Sequence, residues 1–329
     1  MADGSEKDER RVIVLGTGGT IAGRAAVADD NIGYTAGEVG VADLLGGIDA
    51  PSGISLLAEQ VAQVDSKDMS FSIWRLLALR CAHWLAQPDV AGIVITHGTD
   101  TLEETAFFLQ SVLAPSKPVV LTCAMRPSTA LAPDGPQNVR DAIVVAATPE
   151  AQGVVAVCAG TVHSAFDVQK VHTYRLDAFE SGDAGPVAYV EEGALRVLRA
   201  WPATTPAARL AFDRIEAATS WPRVEILVSH AEARGTIVDA LVEERIQGGT
   251  ESVRGLVLAA TGNGTLHHAL EAAAIRAASK GVAVVRATRC AQGRILPRQN
   301  EVLRGAGALT PVKARIALAL ELLSGGPPA

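Results

Sequence analysis

Two short polar clusters hold the side chains in this sequence that could do chemistry, and each follows an apolar run. The first spans residues 16–20 and ends in Thr20, whose hydroxyl can act as a nucleophile once a neighbouring group takes its proton. The second spans residues 96–100 and supplies a hydroxyl on Thr99 and a carboxylate on Asp100. Threonine and aspartate also commonly begin helices and turns. The clusters alone therefore leave both catalysis and helix capping open.

A glycine-rich turn after a first strand also invites a nucleotide-binding interpretation, and the spacing argues against it. The dinucleotide fingerprint is G-x-G-x-x-G, and with Gly16 and Gly18 in the first two positions the third falls on Ile21. The turn also lacks the G-K-S/T ending of a phosphate-binding loop. We therefore do not expect a nucleotide at this turn.

Short apolar runs alternate with helical patterns along the chain, and this alternation predicts an α/β fold with a parallel, doubly wound sheet. Ligands of such sheets bind beyond the carboxyl ends of the strands, where both polar clusters lie. The predicted strands cover residues 12–15, 90–96, 118–123, 153–158, 224–229, 255–260 and 281–285. The predicted helices cover residues 70–86, 101–113, 236–247, 265–280 and 311–323.

The length of 329 residues favours two domains, with one large α/β domain as the alternative. A stretch of weak pattern between residues 201 and 222 begins and ends in Trp-Pro pairs and predicts a linker. The first domain, residues 1–205, would be a larger, mostly parallel sheet flanked by helices, and it would hold both polar clusters. The second, residues 222–329, would be a smaller α/β domain with a parallel sheet.

Composition and charge favour a small-molecule partner. Apolar residues make up 48% of the chain and the net charge is only −7, so neither disorder nor nucleic-acid binding is expected. No apolar run reaches the 18 residues of a membrane span, and the charged start at residues 1–11 predicts no secretory leader.

The cysteines and histidines indicate neither a disulfide framework nor a metal site. The four cysteines are far apart in sequence, which predicts reduced, buried thiols and a cytoplasmic protein. The seven histidines lack a ligand-like spacing, so we expect neither a metal nor an organic cofactor. His97 is expected to be a structural hydrogen-bonding residue.

Several motifs, taken together and in order, are similar to those of the bacterial L-asparaginase family. The resemblance covers nearly the whole chain, and the motifs of the two polar clusters are its most specific part. The motifs are TGGTIAG at 17–23, HGTDT at 97–101, EET at 103–105, AMRPS at 124–128, DGP at 134–136, DVQK at 167–170, TGNG at 261–264 and PVKAR at 311–315.

The resemblance implies an amidohydrolase that converts L-asparagine to L-aspartate and ammonia through an acyl-enzyme. Thr20 matches the nucleophile. Tyr34 resembles the loop tyrosine that closes over the site and assists Thr20. Thr99, Asp100 and Lys170 match a second group, in which Lys170 would hold Thr99 and a water molecule in place, with proton transfer between Lys170 and Thr99 as a further role.

The resemblance also implies how the zwitterionic substrate is held. Asp100 matches the residue that binds the α-ammonium, and Ser66 the serine that binds the α-carboxylate. Backbone N–H groups of Thr99 and of residues near Ala124 are the expected oxyanion donors. Asn263 resembles the residue that the second domain contributes to a neighbouring subunit's site. The family forms intimate dimers that usually pair into tetramers, so a homotetramer is expected.

Two positions depart from the family pattern. Lys67 follows the pocket serine where many relatives have Gln, Glu or Asp, and its charge could strengthen binding of the α-carboxylate or repel the α-ammonium. We hypothesise that Lys67 tightens the pocket and lowers glutamine turnover relative to asparagine. The chain is also shorter than its relatives between residues 289 and 305, so Glu301 is only a candidate for the glutamate that one subunit supplies to its partner.

Three other functions remain open from the sequence. A broad glutaminase-asparaginase, and the amidotransferase subunit that feeds ammonia to a tRNA-linked substrate, would use the same domain. The latter normally has an extra amino-terminal domain, whereas here the first strand starts by residue 12. A catalytically silent amino-acid sensor is disfavoured because both threonines, Asp100 and Lys170 are present.

Overall fold

The computed structural model describes residues 9–25, 27, 30, 33–35, 37–113, 115–203, 206–248, 252–299 and 301–325. The chain divides into two compact units, Met1–Phe212 and Asp213–Ala329. The segment at 201–222 that was predicted to be a linker contains a helix, Pro206–Ala217. Most of the charged start, residues 1–8, lies outside the described residues.

The first unit contains most of the strands. Its strands are β1 (Arg10–Gly18), β2 (Arg24–Ala25), β3 (Tyr34–Thr35), β4 (Ile54–Val64), β5 (Val90–Thr96), β6 (Val119–Thr122), β7 (Val154–Cys158), β8 (Thr161–Ser164), β9 (Gln169–Lys170), β10 (Phe179–Glu180), β11 (Ala188–Glu191) and β12 (Ala194–Val197). Its helices are α1 (Val41–Leu44), α2 (Phe71–Leu85), α3 (Leu102–Leu113) and α4 (Gly135–Ala147), followed by α5 (Pro206–Ala217), which runs across the division between the units.

The main sheet of the first unit has eight strands in the order β12-β11-β8-β7-β6-β5-β1-β4. The five strands from β7 to β4 are parallel, and β8, β11 and β12 extend the sheet in antiparallel fashion. Helices α1 and α4 pack on one face, and α2 and α3 on the other. This arrangement confirms the predicted α/β class and explains the continuous apolar run of β1, whose residues Val12 to Leu15 are fully buried.

The second unit is a smaller parallel sheet with helices on both faces. It consists of β13 (Val224–Val228), α6 (Thr236–Ile246), β14 (Gly255–Ala260), α7 (His268–Ser279), β15 (Ala283–Thr288), β16 (Arg304–Gly305) and α8 (Pro311–Leu323). The strand order is β13-β14-β15-β16. Helices α6 and α7 cover one face, and α8 covers the other. The Thr310 side chain caps α8 by accepting the N–H of Lys313.

Three expectations need correction. Helix α7 begins at His268 rather than at residue 265, because Thr265 forms an isolated bridge with Thr261. The strand expected at 281–285 runs from Ala283 to Thr288, since Gly281 has a positive φ of 80° and ends the preceding turn. Cys81, Cys123 and Cys158 are buried free thiols as predicted, but Cys290 is exposed.

Candidate active site

The two polar clusters meet because they follow neighbouring parallel strands. The register of β1 and β5 pairs Gly16 with Thr96, so both strands end at the same edge of the sheet. The Thr17 hydroxyl donates to the carbonyl oxygen of Thr96 at 2.9 Å. The backbone therefore brings the two polar clusters together at the carboxyl ends of β1 and β5.

Two glycines bring the hydroxyl-bearing residues together. A Cβ on Gly19 would lie 2.3 Å from the Cα of Gly98, and Gly19 has a φ of +82° that disfavours any side chain. Thr20 and Thr99 each follow one of these touching glycines, and only 6% and 7% of their surfaces are exposed. Thr20 is the first residue of a short 3₁₀ turn, Thr20–Ala22, whose N-cap is Gly19. Helix capping is therefore not the role of Thr20.

Lys170 joins the second threonine to the carboxylate. Its Nζ donates to Thr99 Oγ1 at 2.8 Å and to Asp100 Oδ1 at 2.7 Å. Strand β9, which carries Lys170, is paired with β10, and this short ribbon sets the position of the lysine. Because Thr99 Oγ1 accepts from the ammonium, its own proton is directed elsewhere. The structure thus assembles the three residues that the resemblance grouped.

Ser66 lies against the same loop, and only 2% of its surface is exposed. Its Oγ accepts the backbone N–H of Asp100 at 3.2 Å, and its carbonyl oxygen accepts the Thr101 hydroxyl at 2.7 Å. A Cβ on Gly98 would lie 2.5 Å from Ser66 Oγ, so only glycine fits there. The Ser66 hydroxyl proton remains available for a ligand, because the oxygen is used only as an acceptor in this contact.

Lys67 points to carboxylates of its own turn. Its ammonium is paired with Asp65 and lies 3.8 Å from Asp68 Oδ2, and 62% of its side chain is exposed. The hydrogen bond to Asp65 raises the pKa of Lys67, with smaller contributions from the negative charges of Asp68 and Asp100. Lys67 is therefore a local counter-ion within electrostatic reach of Asp100.

Tyr34 belongs to a segment whose backbone is attached to the Thr20 turn. Tyr34 pairs with Ala25 in the β2–β3 ribbon, and Gly37 donates its N–H to the Gly19 carbonyl oxygen at 3.1 Å. The side chain of Tyr34 lies outside the described residues, so its predicted closure over Thr20 stays a prediction.

His97 is buried behind the site in a defined chain of hydrogen bonds. Its Nδ1 is 2.7 Å from the Gly98 carbonyl oxygen, which can only accept, so Nδ1 carries the proton and Nε2 accepts from Thr105 Oγ1 at 2.8 Å. Trp74 Nε1 donates to the same hydroxyl oxygen at 2.9 Å. Burial lowers the pKa of His97 to about 4, so the ring is neutral at pH 7. As expected, His97 is a structural hydrogen-bonding residue.

Ala124 follows β6 and is fully buried. A Cβ on Gly135 would lie 3.0 Å from Ile21 Cγ1 and 3.5 Å from Ala124 Cβ, so Ala124 and the residue after Thr20 pack on the same glycine. Ala124, Thr20, Thr99, Asp100, Lys170 and Ser66 thus belong to one region at the carboxyl edge of the main sheet.

Asn263 and Glu301 lie in the second unit, where each has a partner from that unit. Asn263 Oδ1 accepts the N–H of Leu296 at 2.7 Å. Glu301 Oε1 and Arg286 Nη2 are 2.7 Å apart and form an ion pair whose angles are poor for a hydrogen bond. The Arg286 guanidinium lowers the pKa of Glu301. Among the described residues, no group of three or more His, Cys, Asp or Glu side chains could hold a metal ion.

Two family models match the chain, one over each unit. The model described as "Asparaginase, N-terminal" matches residues 11–203, and the model described as "Glutaminase/Asparaginase C-terminal domain" matches residues 223–329. The chain belongs to the asparaginase family.

Bacterial relatives of this chain are named either L-asparaginase or glutaminase-asparaginase. L-asparaginase 2 of Bacillus subtilis (strain 168) is 36% identical over 96% of this chain and 84% of its own length. A glutaminase-asparaginase of Pseudomonas fluorescens biotype A is 35% identical over 93% of this chain and 84% of its own length. The crystal structure of a probable cytoplasmic L-asparaginase from Campylobacter jejuni superposes with a TM-score of 0.85 at 35% identity, covering 95% of each chain.

The sequence analysis named Asp134 only as part of the DGP motif, and it missed the contacts of Asp134 and Asn138 with the backbone. Asp134 and Asn138 bind the chain after β6, and their i, i+4 spacing at the start of a helix was the available signal. It also missed the proximity of Cys123 and Cys158, whose sulfurs lie 3.2 Å apart at the ends of neighbouring strands. No part of the described chain forms a helix long and apolar enough to cross a membrane.

Proposed function

We propose that this protein hydrolyses the side-chain amide of L-asparagine to L-aspartate and ammonia through an acyl-enzyme on Thr20. The observation that carries the proposal is the contact of Gly19 with Gly98, which sets the Thr20 turn against the Thr99, Asp100 and Lys170 group. Membership of the asparaginase family and the names of its relatives support the reaction. The residue roles below are part of the proposal.

In the first half of the reaction, Thr20 Oγ1 bonds to the amide carbon as a neighbouring group takes its proton. Tyr34 is our candidate for this assistance. The carbonyl electron pair moves to oxygen, and backbone N–H groups of Thr99 and of residues near Ala124 stabilise the negative charge. The intermediate collapses as the C–N bond breaks, and the leaving nitrogen takes a proton and departs as ammonia.

In the second half, a water molecule attacks the acyl-enzyme and releases aspartate. Lys170 holds Thr99 by a 2.8 Å hydrogen bond, so the Thr99 hydroxyl proton can orient that water. The same ammonium can pass a proton to or from Thr99. This arrangement gives the second threonine a role distinct from that of the nucleophile.

The substrate zwitterion fits the polarity of the site. Asp100 has 53% of its side chain exposed and one oxygen bound by Lys170, which leaves carboxylate surface for an α-ammonium. Ser66 can donate its hydroxyl proton to the α-carboxylate. Lys67, on the adjacent turn, would strengthen carboxylate binding through its charge and disfavour glutamine relative to asparagine.

We also propose a homotetramer of intimate dimers in which residues 222–329 of one subunit complete the site formed by residues 1–205 of another. Asn263 would enter the neighbouring pocket, and Glu301 is the candidate carboxylate. The Arg286 ion pair supports a fixed position for Glu301 within its own unit. No cofactor is proposed. We propose a reducing, cytoplasmic location because the four cysteines are far apart in sequence.

Glutaminase activity is the second candidate, because relatives of similar identity are named glutaminase-asparaginase. Ammonia release from L-asparagine, L-glutamine and D-asparagine, measured side by side for the parent protein and Thr20→Ala, tests the proposal. We expect fastest release from L-asparagine, slow release from L-glutamine, and none from Thr20→Ala. Comparable rates with both L-amides would make it a broad glutaminase-asparaginase. Release from none of the three would favour an amino-acid sensor.

A further inference from the structure

The segment after β6 is tied back by the residue that precedes α4. Asp134 Oδ2 accepts the N–H of Met125 and Oδ1 accepts the N–H of Arg126, both at 2.9 Å. Binding two consecutive amides with both oxygens requires a carboxylate, because the amide of asparagine would present an NH₂ group to one of the two donors. Asp134 therefore fixes the peptide group between Ala124 and Met125.

Asn138, one helical turn later, fixes the preceding peptide group. Its Nδ2 donates to the Cys123 carbonyl oxygen at 2.9 Å and to Asp134 Oδ2 at 3.3 Å, and its Oδ1 accepts the N–H of Ala159 at 3.0 Å. Only 3% of Asn138 is exposed. With both its oxygen and its nitrogen bound, the Asn138 amide has one orientation. It joins the end of β6 to the turn after β7.

These contacts determine where the polar groups of Ala124 point. In a trans peptide the C=O and the N–H lie on opposite sides. Since Asn138 binds the Cys123 carbonyl, the Ala124 N–H of that peptide points away from α4. Since Asp134 binds the Met125 N–H, the Ala124 carbonyl also points away from α4. The N–H and the carbonyl oxygen of Ala124 are therefore each turned away from the side chain that holds their peptide group.

The start of α4 also packs against the turn that carries Thr20. Gly135, directly after Asp134, is close enough to Ile21 and Ala124 that a Cβ would lie 3.0 Å from the former and 3.5 Å from the latter. Ile21 directly follows Thr20. The residues that orient Ala124 thus lie beside the glycine against which the turn of Thr20 packs.

We propose that Asp134 and Asn138 are positioning residues for amide hydrolysis, which direct the polar groups of Ala124 toward the amide that Thr20 attacks. Both side chains bind backbone groups, so each would act through Ala124 and not on the substrate. The proposal rests on the proposed function and extends it to a mechanism for fixing the oxyanion-side backbone. A merely structural role would change stability and leave the turnover of the folded enzyme intact.

The test is the variant Asp134→Asn, which keeps the size of the side chain and loses one of the two acceptor oxygens. We expect kcat for L-asparagine to fall by about 10²-fold, because small misplacements of reacting groups cost that much, with KM changed less than about threefold. Arg126→Met is the matched control, since it removes another side-chain bond of the same segment, to the Ala132 carbonyl oxygen at 3.1 Å. Its kcat should stay within about twofold.

The outcome is decided by kcat and KM of folded protein, with circular dichroism and thermal unfolding as checks. Unchanged kcat in Asp134→Asn, or a loss matched by Arg126→Met, overturns the positioning role. If Asp134→Asn does not fold, Asn138→Ser, which withdraws the donor from the Cys123 carbonyl, decides by the same comparison of kcat with KM. Failure of the parent protein to release ammonia would instead reject the proposed function.

Discussion

The two units of the protein each contain a cation–carboxylate pair with the same N···O distance of 2.7 Å and very different surroundings. Lys170 and Asp100 have 19% and 53% of their side chains exposed, whereas Arg286 and Glu301 have 9% and 17% exposed. Lys170 also donates to a hydroxyl, and Arg286 donates to the Gly264 and Leu303 carbonyl oxygens. The Lys170–Asp100 pair is partly exposed and bonded to another side chain. The Arg286–Glu301 pair is more buried, and its guanidinium is bonded to backbone carbonyls.

This difference separates groups that can take part in chemistry from groups that hold the chain. An exposed ion pair is worth little to stability, and its carboxylate can accept a new cation without a large cost. A buried guanidinium bonded to two carbonyls cannot be exchanged, because its loss leaves desolvated acceptors without a donor. We therefore expect substitution of Lys170 to affect turnover and substitution of Arg286 to affect folding.

The largest expected effect is on turnover in Lys170→Met. Removing the ammonium leaves Thr99 without its hydrogen bond, so kcat for L-asparagine should fall by about 10²–10⁴-fold, the range typical of a positioned proton-transfer group. The midpoint of thermal unfolding should change little, because the pair is partly exposed. Lys280→Met, at an exposed lysine of the second unit, is the control and should retain full kcat. A folded, fully active Lys170→Met enzyme would remove the distinction between the two pairs.

The opposite pattern is expected for Arg286→Met. The Gly264 and Leu303 carbonyls would each lose a donor, at a cost of about 1–3 kcal/mol apiece in the free energy of unfolding. Urea denaturation measures this loss. Arg289→Met, at an exposed arginine on the same segment, should change the free energy by less than about 0.5 kcal/mol. Equal stability of the two variants would show that burial does not distinguish the second pair.

The sequence predicted the first of these regions far better than the second. Both polar clusters follow continuous apolar strands, and parallel strands end at a common edge, so the approach of Thr20 to Thr99 follows from local pattern. The Arg286–Glu301 pair depends on the path of the irregular segment that follows β15. Periodicity in the sequence does not predict that path. Glu301 was named only as a candidate for an intersubunit role because the chain is shorter than its relatives there, and its pairing with Arg286 was not foreseen.

Strand β4 and the thiol pair illustrate the same limit. Strand β4 is an edge strand that mixes polar and apolar residues, so it lacks the apolar run that revealed β1 and β5. Cys123 and Cys158 are 35 residues apart, and only the pairing of β6 with β7 brings them together. Exposure of Cys290 was missed because the apolar strand before it ends at Thr288.

On acidification, the two units should lose stability over different pH ranges. The folded pKa of His97, about 4, lies below its ordinary value of 6.5, so the unfolded chain binds more protons between these values. The contribution of neutral His97 to the free energy of unfolding is complete above pH 6.5. It falls by about 3 kcal/mol as the pH drops to 4. Glu301, whose pKa is lowered, loses its contribution only below its ordinary value of 4.5.

Urea unfolding at pH 7.5, 5.5 and 4.0 tests this order of events. His97→Asn keeps a donor for the Gly98 carbonyl and cannot titrate, so its stability should vary less than that of the parent protein between pH 7.5 and 5.5. Glu301→Gln should match the parent slope in that range and differ only at pH 4.0. If His97→Asn shows the same slope as the parent protein above pH 5.5, His97 is not the group that titrates.

Lys67→Gln is expected to have the smallest effect. It tests whether the exposed charge of Lys67 influences substrate binding in the first region. Lys67 is shared between Asp65 and Asp68, and its charge reaches Asp100 only through solvent-exposed surroundings. An exposed charge of this kind contributes little, so the glutamine-to-asparagine ratio of kcat/KM should rise by no more than about fivefold. The rise should shrink as salt is added, since screening weakens exposed charges, and Lys67→Arg should keep the parent ratio. An unchanged ratio would remove Lys67 from substrate selection, whereas a change well above tenfold, insensitive to salt, would mean that Lys67 leaves Asp65 to bind substrate directly.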